Sequence, residues 1–209
     1  KKEGKVVGVQ GCLPVQLKIK EKYYDASVGA NLYVKEEDRK PNVSFPLIMK
    51  WRKSTPVVFT HPTAVGVTEI YKNLGDSVWM VPTYVRIIRG SALAKVMPLG
   101  GLLGKLVGWI FAPRSRKSSL EISAVKRFDD SIDAFWKTVE GKFDFIVKRD
   151  SSYLNWKYVD VKPDVGYTCF VARDAGKIVG YIVVREEEKR FKQGLVSDVL
   201  CNPDDTATF

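Results

Sequence analysis

The side chains that most often bind metals or form covalent intermediates are scarce in this sequence. It has three cysteines, Cys12, Cys169 and Cys201, and a single histidine, His61. The cysteines lack the spacing of metal ligands, and one histidine cannot complete a His/Cys cluster. Cys12 has no nearby basic partner to activate it as a nucleophile. We therefore expect neither a metal site nor a cysteine nucleophile. An odd number of cysteines without metal-ligand spacing predicts a reducing, cytoplasmic setting.

The charge of the chain narrows the classes of partner. The formal net charge is +10, and 45% of the residues are hydrophobic, which is enough for a globular core. A basic protein can bind nucleic acid, anionic lipid or a phosphorylated ligand. No stripe of base-stacking aromatic residues alternates with the lysines and arginines, so the sequence does not favour nucleic acid.

One short pattern occurs twice and suggests two related domains. Residues 4–8 (GKVVG) return as residues 176–180 (GKIVG), and in each copy a second strand and an acidic turn follow. The spacing is far longer than the ~20–50 residues of a solenoid repeat. We expect the second part of one domain at residues 1–90, a connecting segment at 91–120, and the first half of another domain at 121–209. Almost nothing precedes the first hairpin and the chain lacks a starting Met, so we expect a piece of a longer protein.

The first copy reads as strands and helices in an α+β or layered α/β order. Residues 43–52 have apolar side chains at helical spacing, and Pro46 fits only in the first turn of that helix. Gly75 is placed to end a second helix. The predicted strands are 6–19, 26–34, 56–59 and one or two within 77–88, and the predicted helices are 43–52 and 68–74.

The segment between the copies has two interpretations. Residues 93–111 are apolar but contain two lysines, a proline and four glycines, and a basic cluster follows at 113–117. A membrane-spanning helix needs about 20 predominantly apolar residues. We expect a connecting helix packed between domains. Insertion beside anionic lipid is the alternative, because the basic cluster would lie at the phosphates.

The second copy begins with helices and continues into strands. Residues 128–139 carry an apolar helical face, and Asp150 is a suitable N-cap for a shorter helix. Residues 167–173 and 177–185 are predicted to form a hairpin across a turn that contains Gly176. Residues 195–201 are the next predicted strand.

The combined order of elements resembles the GCN5-related N-acetyltransferases, the GNAT superfamily. Three segments carry the resemblance: residues 31–39 (NLYVKEEDR), 69–75 (EIYKNLG) and 149–158 (RDSSYLNWKY). The last is similar to large tandem-domain members. The resemblance implies a mixed central sheet flanked by helices, with parts of two tandem copies present here, and covers roughly residues 1–90 and 128–205.

The resemblance also implies acetyl-CoA as co-substrate. In that family the pyrophosphate lies on backbone N–H groups at a helix N-terminus, which offers unpaired donors and a partial positive charge. Three glycines are usual in the preceding loop, and Lys40, Asn42 and Ser44 stand in their places, although the arginine is kept as Arg39. The residues implied to bind the cofactor are Leu32, Val34, Arg39, Lys40, Asn42, Val43 and Ser44.

The catalytic roles follow the same resemblance. Tyr71 is implied as the acid that protonates the departing thiolate. The family's basic carboxylate on the fourth strand corresponds to Asn31 in the first copy and to Asp198 in the second, and the amide of Asn31 cannot accept a proton. The second copy has neither arginine nor glycine in its loop, so we expect it to shape the acceptor pocket, and Asp198 to be structural or substrate-facing.

Two functions remain open from the sequence. The first is an enzyme that transfers an acyl group from acetyl-CoA to an amine of a small molecule or peptide, by direct attack and without a covalent intermediate. The alternative is a non-catalytic GNAT-like binding module that has lost CoA binding. The glycine-less loop favours the module, whereas Tyr71 and Arg39 favour the enzyme.

Overall fold

The computed structural model describes residues 4–39, 43–61, 65–79, 81–82, 84–85, 119–160, 166–188 and 192–205. The strands are β1 (Gly8–Ile19), β2 (Lys22–Val34), β3 (Val57–Thr60), β4 (Glu121–Val125), β5 (Phe145–Val147), β6 (Tyr167–Asp174), β7 (Lys177–Glu188) and β8 (Lys192–Cys201). The helices are α1 (Ser44–Arg52), α2 (Val65–Asn73), α3 (Asp130–Val139) and α4 (Ser151–Asn155).

These elements fall in two compact units. The first unit holds β1, β2, α1, β3 and α2, together with β5 from later in the chain, and the second holds β4, α3, α4 and the last three strands. Each unit has one sheet of 4 strands, in the order β3-β2-β1-β5 and β4-β6-β7-β8. The α+β class predicted from the sequence is confirmed, whereas the domain boundaries stay a prediction.

In the first unit β1 and β2 form the predicted hairpin. The turn places Lys20 at a left-handed φ of 52°, and β2 begins at Lys22, earlier than predicted. β5 pairs with β1 and extends the sheet on that side, and β3 pairs in parallel with β2 on the other. A parallel pair needs a crossover, which α1 provides.

The helices of the first unit begin and end close to their predicted limits. Pro46 lies in the first turn of α1, where no intrahelical N–H is lost. Gly75 follows α2 with a φ of 80°, a conformation that glycine adopts without strain. Ile48 and Trp51 of α1 and Tyr71 of α2 form the buried cluster of this unit.

The second unit is an antiparallel sheet with two capped helices. The β6–β7 hairpin closes at Ala175 and Gly176, which both have positive φ, as its predicted turn requires. The carboxylate of Asp129 accepts from the backbone N–H of Ser131 at the start of α3, and Asp150 accepts from that of Tyr153 at the start of α4. The sequence predicted the Asp150 cap, which is confirmed.

One predicted strand is absent from the described residues, and two observed strands were missed. The described residues of segment 77–88 form no strand, although their side chains alternate; Trp79 and Tyr84 are 79% and 90% exposed. Alternation makes a strand only where a neighbouring strand is available to pair with. Conversely, β4 and β5 were missed because 5 and 3 residues carry too little periodicity to recognise.

The predicted connecting segment 93–111 lies outside the described residues. Among those that are described, no helix is both long and apolar enough to cross a membrane.

Candidate functional site

The pairing between the two parallel strands of the first unit ends after four positions. Ala26–Gly29 of β2 pair with Val57–Thr60 of β3, and β3 then ends. β2 continues to Val34 while β1 pairs with it on the other side. The edge of β2 from Ala30 to Val34 is therefore not paired with β3.

β2 contains a bulge just beyond its last pair with β3. Val9 pairs with Tyr33 and Gly11 pairs with Ala30, so Gln10 alone faces both Asn31 and Leu32. Asn31 has a φ of 51°, in the left-handed region that asparagine tolerates better than most residues. Its amide is exposed and is not a base, as the sequence predicted.

The chain after β2 folds back on the strand through an arginine. The Nε of Arg39 donates to the carbonyl oxygen of Val34 at 3.0 Å, and its guanidinium carbon lies 6.0 Å from the ring centroid of Tyr33. Between them, Glu36–Asp38 form an acidic 3-10 turn. Arg39 thus ties the turn that follows β2 back to the end of the strand.

The start of α1 has no side-chain cap. The N-cap residue is Val43, and no acidic residue lies in the first turn. Ser44 is the first helical residue and its N–H is one of the donors without an intrahelical acceptor. Lys40 and Asn42, which the sequence also assigned to the cofactor, lie outside the described residues.

Tyr71 lies in the core of the first unit. Its side chain is 8% exposed and meets the indole of Trp51 edge to face, with ring centroids 6.4 Å apart. Burial and the nearby Asp76 carboxylate raise the pKa of Tyr71, and the Arg52 guanidinium partly offsets this. The hydroxyl therefore stays protonated at neutral pH.

The predicted site residues fall into two groups along α1. Val43 and Ser44 form the N-terminus of α1 and Arg39 is bonded to Val34 at the end of β2, whereas Leu32 packs against the buried cluster that contains Tyr71. A helix of 9 residues is about 13 Å long. One group has the charge and donors that suit a phosphate, and the other is apolar with one hydroxyl.

Asp198 lies in a hydrogen-bonded network of the second unit. Its carboxylate accepts from Arg149 Nε at 3.0 Å, from the Tyr158 hydroxyl at 2.9 Å and from the Tyr181 hydroxyl at 3.3 Å. Burial, followed by the charge of Asp198, raises the pKa of both tyrosines well above the usual range. Both hydroxyls therefore remain donors to this carboxylate.

The sequence did not identify the partners of Asp198. Arg149 and Tyr158 stood in a segment quoted for its similarity to tandem-domain proteins, but no spacing rule connects them with a residue some forty positions later. Three donors therefore satisfy this one buried carboxylate.

The cysteines and the histidine are dispersed. Cys12 is exposed, and Cys169 and Cys201 are buried, which raises the pKa of both buried thiols. Among the described residues, no three His, Cys, Asp or Glu side chains are grouped as metal ligands.

Solved structures with similar folds come from N-acyltransferases. N-myristoyltransferase of Saccharomyces cerevisiae with bound myristoyl-CoA is similar with a TM-score of 0.56 at 16% identity, over 96% of this chain and 48% of that one. A GCN5-related N-acetyltransferase of Anabaena variabilis has a TM-score of 0.59 at 14% identity, over 97% and 48%. A probable N-acyltransferase of Enterococcus faecalis has a TM-score of 0.55 at 12% identity, over 95% and 45%.

These likenesses are structural only. No family model and no curated protein matches the sequence. The chain spans about half the length of the solved chains described above. At these identities the shared feature is the fold. The chain therefore has a fold similar to that of the GCN5-related N-acetyltransferases.

Proposed function

We propose that this chain is part of an acyl-CoA-dependent N-acyltransferase in which the first unit binds CoA. The observation that carries the proposal is the edge of β2 from Ala30 to Val34, which is not paired with β3 and leads to the uncapped N-terminus of α1. A pantetheine arm contains amides that can pair with a strand edge, as an added peptide strand does. A pyrophosphate suits a helix N-terminus without an acidic cap.

The residues about α1 fit a CoA ligand in two respects. Ser44 offers a hydroxyl and a backbone N–H at the helix start, and Arg39 supplies a cation at the end of the loop. The apolar cluster at the other end of the helix contains Leu32 and Tyr71. We assign Val34, Val43, Lys40 and Asn42 to the same cofactor site by the family resemblance.

We propose acetyl-CoA as donor and an amine of a small molecule or peptide as acceptor. The amine nitrogen attacks the thioester carbonyl, the carbon–sulfur bond breaks, and the thiolate leaves with a proton. Tyr71 is the proposed donor of that proton by the family resemblance, and its hydroxyl is protonated at neutral pH. The acceptor amine loses its proton to water or to a group outside the first unit, since Asn31 cannot accept it.

A non-catalytic binding module is the second candidate, and two observations favour it. The 3-10 turn Glu36–Asp38 carries three carboxylates a few residues before α1 in the sequence, and like charge repels a pyrophosphate. The ring of Tyr71 is enclosed in the core, where a tyrosine can serve packing alone.

A charge placed at the start of α1 separates these candidates. The full chain is titrated with CoA and acetyl-CoA by calorimetry, beside Ser44→Asp. An aspartate in the first turn favours the helix dipole, so the fold is retained, whereas it repels a phosphate. We expect micromolar binding by the native chain and at least a tenfold loss in Ser44→Asp, which is about 1.4 kcal/mol.

The matched control is the same substitution just beyond the other end of the helix. Ser54 is exposed and lies after the C-terminus of α1. Ser54→Asp should bind CoA as the native chain does. No binding to the native chain at millimolar CoA contradicts the enzyme and favours the module, and equal losses in both variants show that the phosphates do not lie at the start of α1.

A further inference from the structure

A glutamine side chain spans the bulge of β2. Gln10 on β1 donates from Nε2 to the carbonyl oxygen of Ala30 at 3.1 Å and to that of Gly11 at 2.7 Å. Ala30 is the last residue of β2 that pairs regularly with β1 before the bulge. The side chain thus supplies a donor where the backbone ladder is interrupted.

The neighbouring residues are fitted to the same distortion. A Cβ added to Gly11 would lie 2.8 Å from the carbonyl oxygen of Ala30, closer than such atoms approach, so only glycine fits. Asn31 has the left-handed backbone, with a φ of 51°. The bulge therefore depends on three residues, Gln10, Gly11 and Asn31.

The orientation of the Gln10 amide is fixed by its two acceptors. If the amide were reversed, its oxygen would face two carbonyl oxygens and no donor. In the observed orientation Oε1 is buried and has no hydrogen-bond partner among the described residues. An unpaired buried acceptor opposes folding, so the arrangement is retained at some expense in stability.

The bulge lies next to the point where the pairing of β2 with β3 ends. The last pair between these strands is Gly29 with Thr60, and the bulge follows within two residues. A bulge bends its strand and increases the local twist. The bulge therefore lies where the edge of β2 that is not paired with β3 begins.

We propose that Gln10 is a positioning residue for the CoA site, whose side-chain amide holds the bulge where the edge of β2 that is not paired with β3 begins. The inference rests on the proposed function, since this edge is the one proposed to bind CoA. Gln10 acts through the backbone of β2 and takes no part in the chemistry.

Two measurements on the full chain test this role: the affinity for CoA and the amide hydrogen exchange of residues 30–33. Gln10→Leu keeps bulk and removes the donor. We expect at least a tenfold weaker affinity, at least tenfold faster exchange at these amides, and a thermal midpoint close to the native value, because the unpaired acceptor is removed as well. Gln10→Glu, which remains polar but lacks donors, should show the same two losses.

The control is another glutamine of the same strand. Gln16 bonds to Asp25 by an exposed contact at 3.3 Å, away from the bulge, so Gln16→Leu should change neither measurement. Asn31→Val, which disfavours the positive φ that the bulge needs, should show the same two losses as Gln10→Leu.

The outcomes separate this proposal from the function on which it rests. Native exchange in Gln10→Leu shows that Gln10 does not hold the bulge. Faster exchange with unchanged CoA affinity shows that the bulge does not position the ligand. If the native chain binds no CoA, the proposed function and the positioning role both fail, whereas the exchange data still show whether Gln10 holds the bulge.

Discussion

The two units contain similar local features whose polar groups differ in burial and in hydrogen-bond partners. Both have a bulged hairpin, at Asn31 in β2 and next to Asp198 in β8. Asn31 is exposed, whereas Asp198 is buried beneath three donors. The helices differ in the same sense, because α1 begins without a side-chain cap and α3 begins with Asp129.

On the proposed function, the polar groups that lack partners in the first unit serve a ligand, whereas the partnered polar groups of the second unit serve stability. Unpaired backbone groups at a strand edge and a helix end are available to bind a molecule that supplies their partners. Polar groups that already have partners contribute to the fold. We therefore expect substitutions at matched features to reduce ligand binding in the first unit and the free energy of unfolding in the second.

The largest effect is expected at Asp198. Asp198→Asn removes the negative charge that pairs with the guanidinium of Arg149, whose side chain is 23% exposed. Breaking one partner of a buried pair typically costs about 3–5 kcal/mol. We expect a loss of about 3 kcal/mol in the free energy of unfolding of the second unit, measured by urea denaturation.

The control for Asp198→Asn is Glu121→Gln, which replaces an exposed carboxylate of the same unit by an amide. It should change this free energy of unfolding by less than about 0.5 kcal/mol. A loss below about 1 kcal/mol in Asp198→Asn would contradict the view that this carboxylate is a structural group.

A pair of tyrosine substitutions sharpens the comparison at the level of one hydroxyl. Tyr158→Phe removes a 2.9 Å hydrogen bond to the Asp198 carboxylate and should cost about 2 kcal/mol. Tyr71→Phe keeps the ring packed against Trp51 and should cost less than about 0.5 kcal/mol. If the proposed function holds, Tyr71→Phe instead lowers the turnover number. Equal losses of stability in Tyr158→Phe and Tyr71→Phe would contradict the difference between the two units.

Among the polar groups of the second unit, the smallest effect is expected at the cap of α3, and it depends on pH. Hydrogen bonds from the hydroxyl and then the backbone N–H of Ser131 lower the pKa of Asp129. A lowered native pKa means that the stabilisation is present above the unfolded pKa, near 4, and is lost as the pH falls through the native value. Asp129→Ala should cost about 1 kcal/mol at pH 7, measured by urea denaturation, and less at pH 2.

Asp129→Asn keeps a capping oxygen and removes the titration, so its stability should not show this acid-dependent term. If the native chain and Asp129→Asn lose stability in parallel between pH 5 and pH 2, the cap is not the source of that dependence.

The sequence predicted most of the local structure. The Asp150 cap, the glycine that ends α2, the Pro46 position and the Ala175–Gly176 turn depend on residues within one or two turns of one another. It also predicted Tyr71 and Leu32 on their helix and strand, although the cofactor and catalytic roles of the site residues stay proposals.

Features that depend on distant pairing could not be predicted. β5 is a strand because it meets β1, more than a hundred residues earlier in the chain. The bulge at Asn31 is visible only when the register of β1 and β2 is counted. The residues at 77–88 have the composition of a strand, but the described part of that segment has no strand beside it.

The sequence by itself determined which segments are helices, turns and long strands in this protein, because capping, proline geometry and apolar periodicity act over a few residues. The tertiary structure decided that Asp198 is bound by Arg149 and two tyrosines, that Gln10 spans a bulge, and that Tyr71 is enclosed. These depend on burial and on contacts between remote residues, where a polar group either finds a partner in the fold or is left for a ligand.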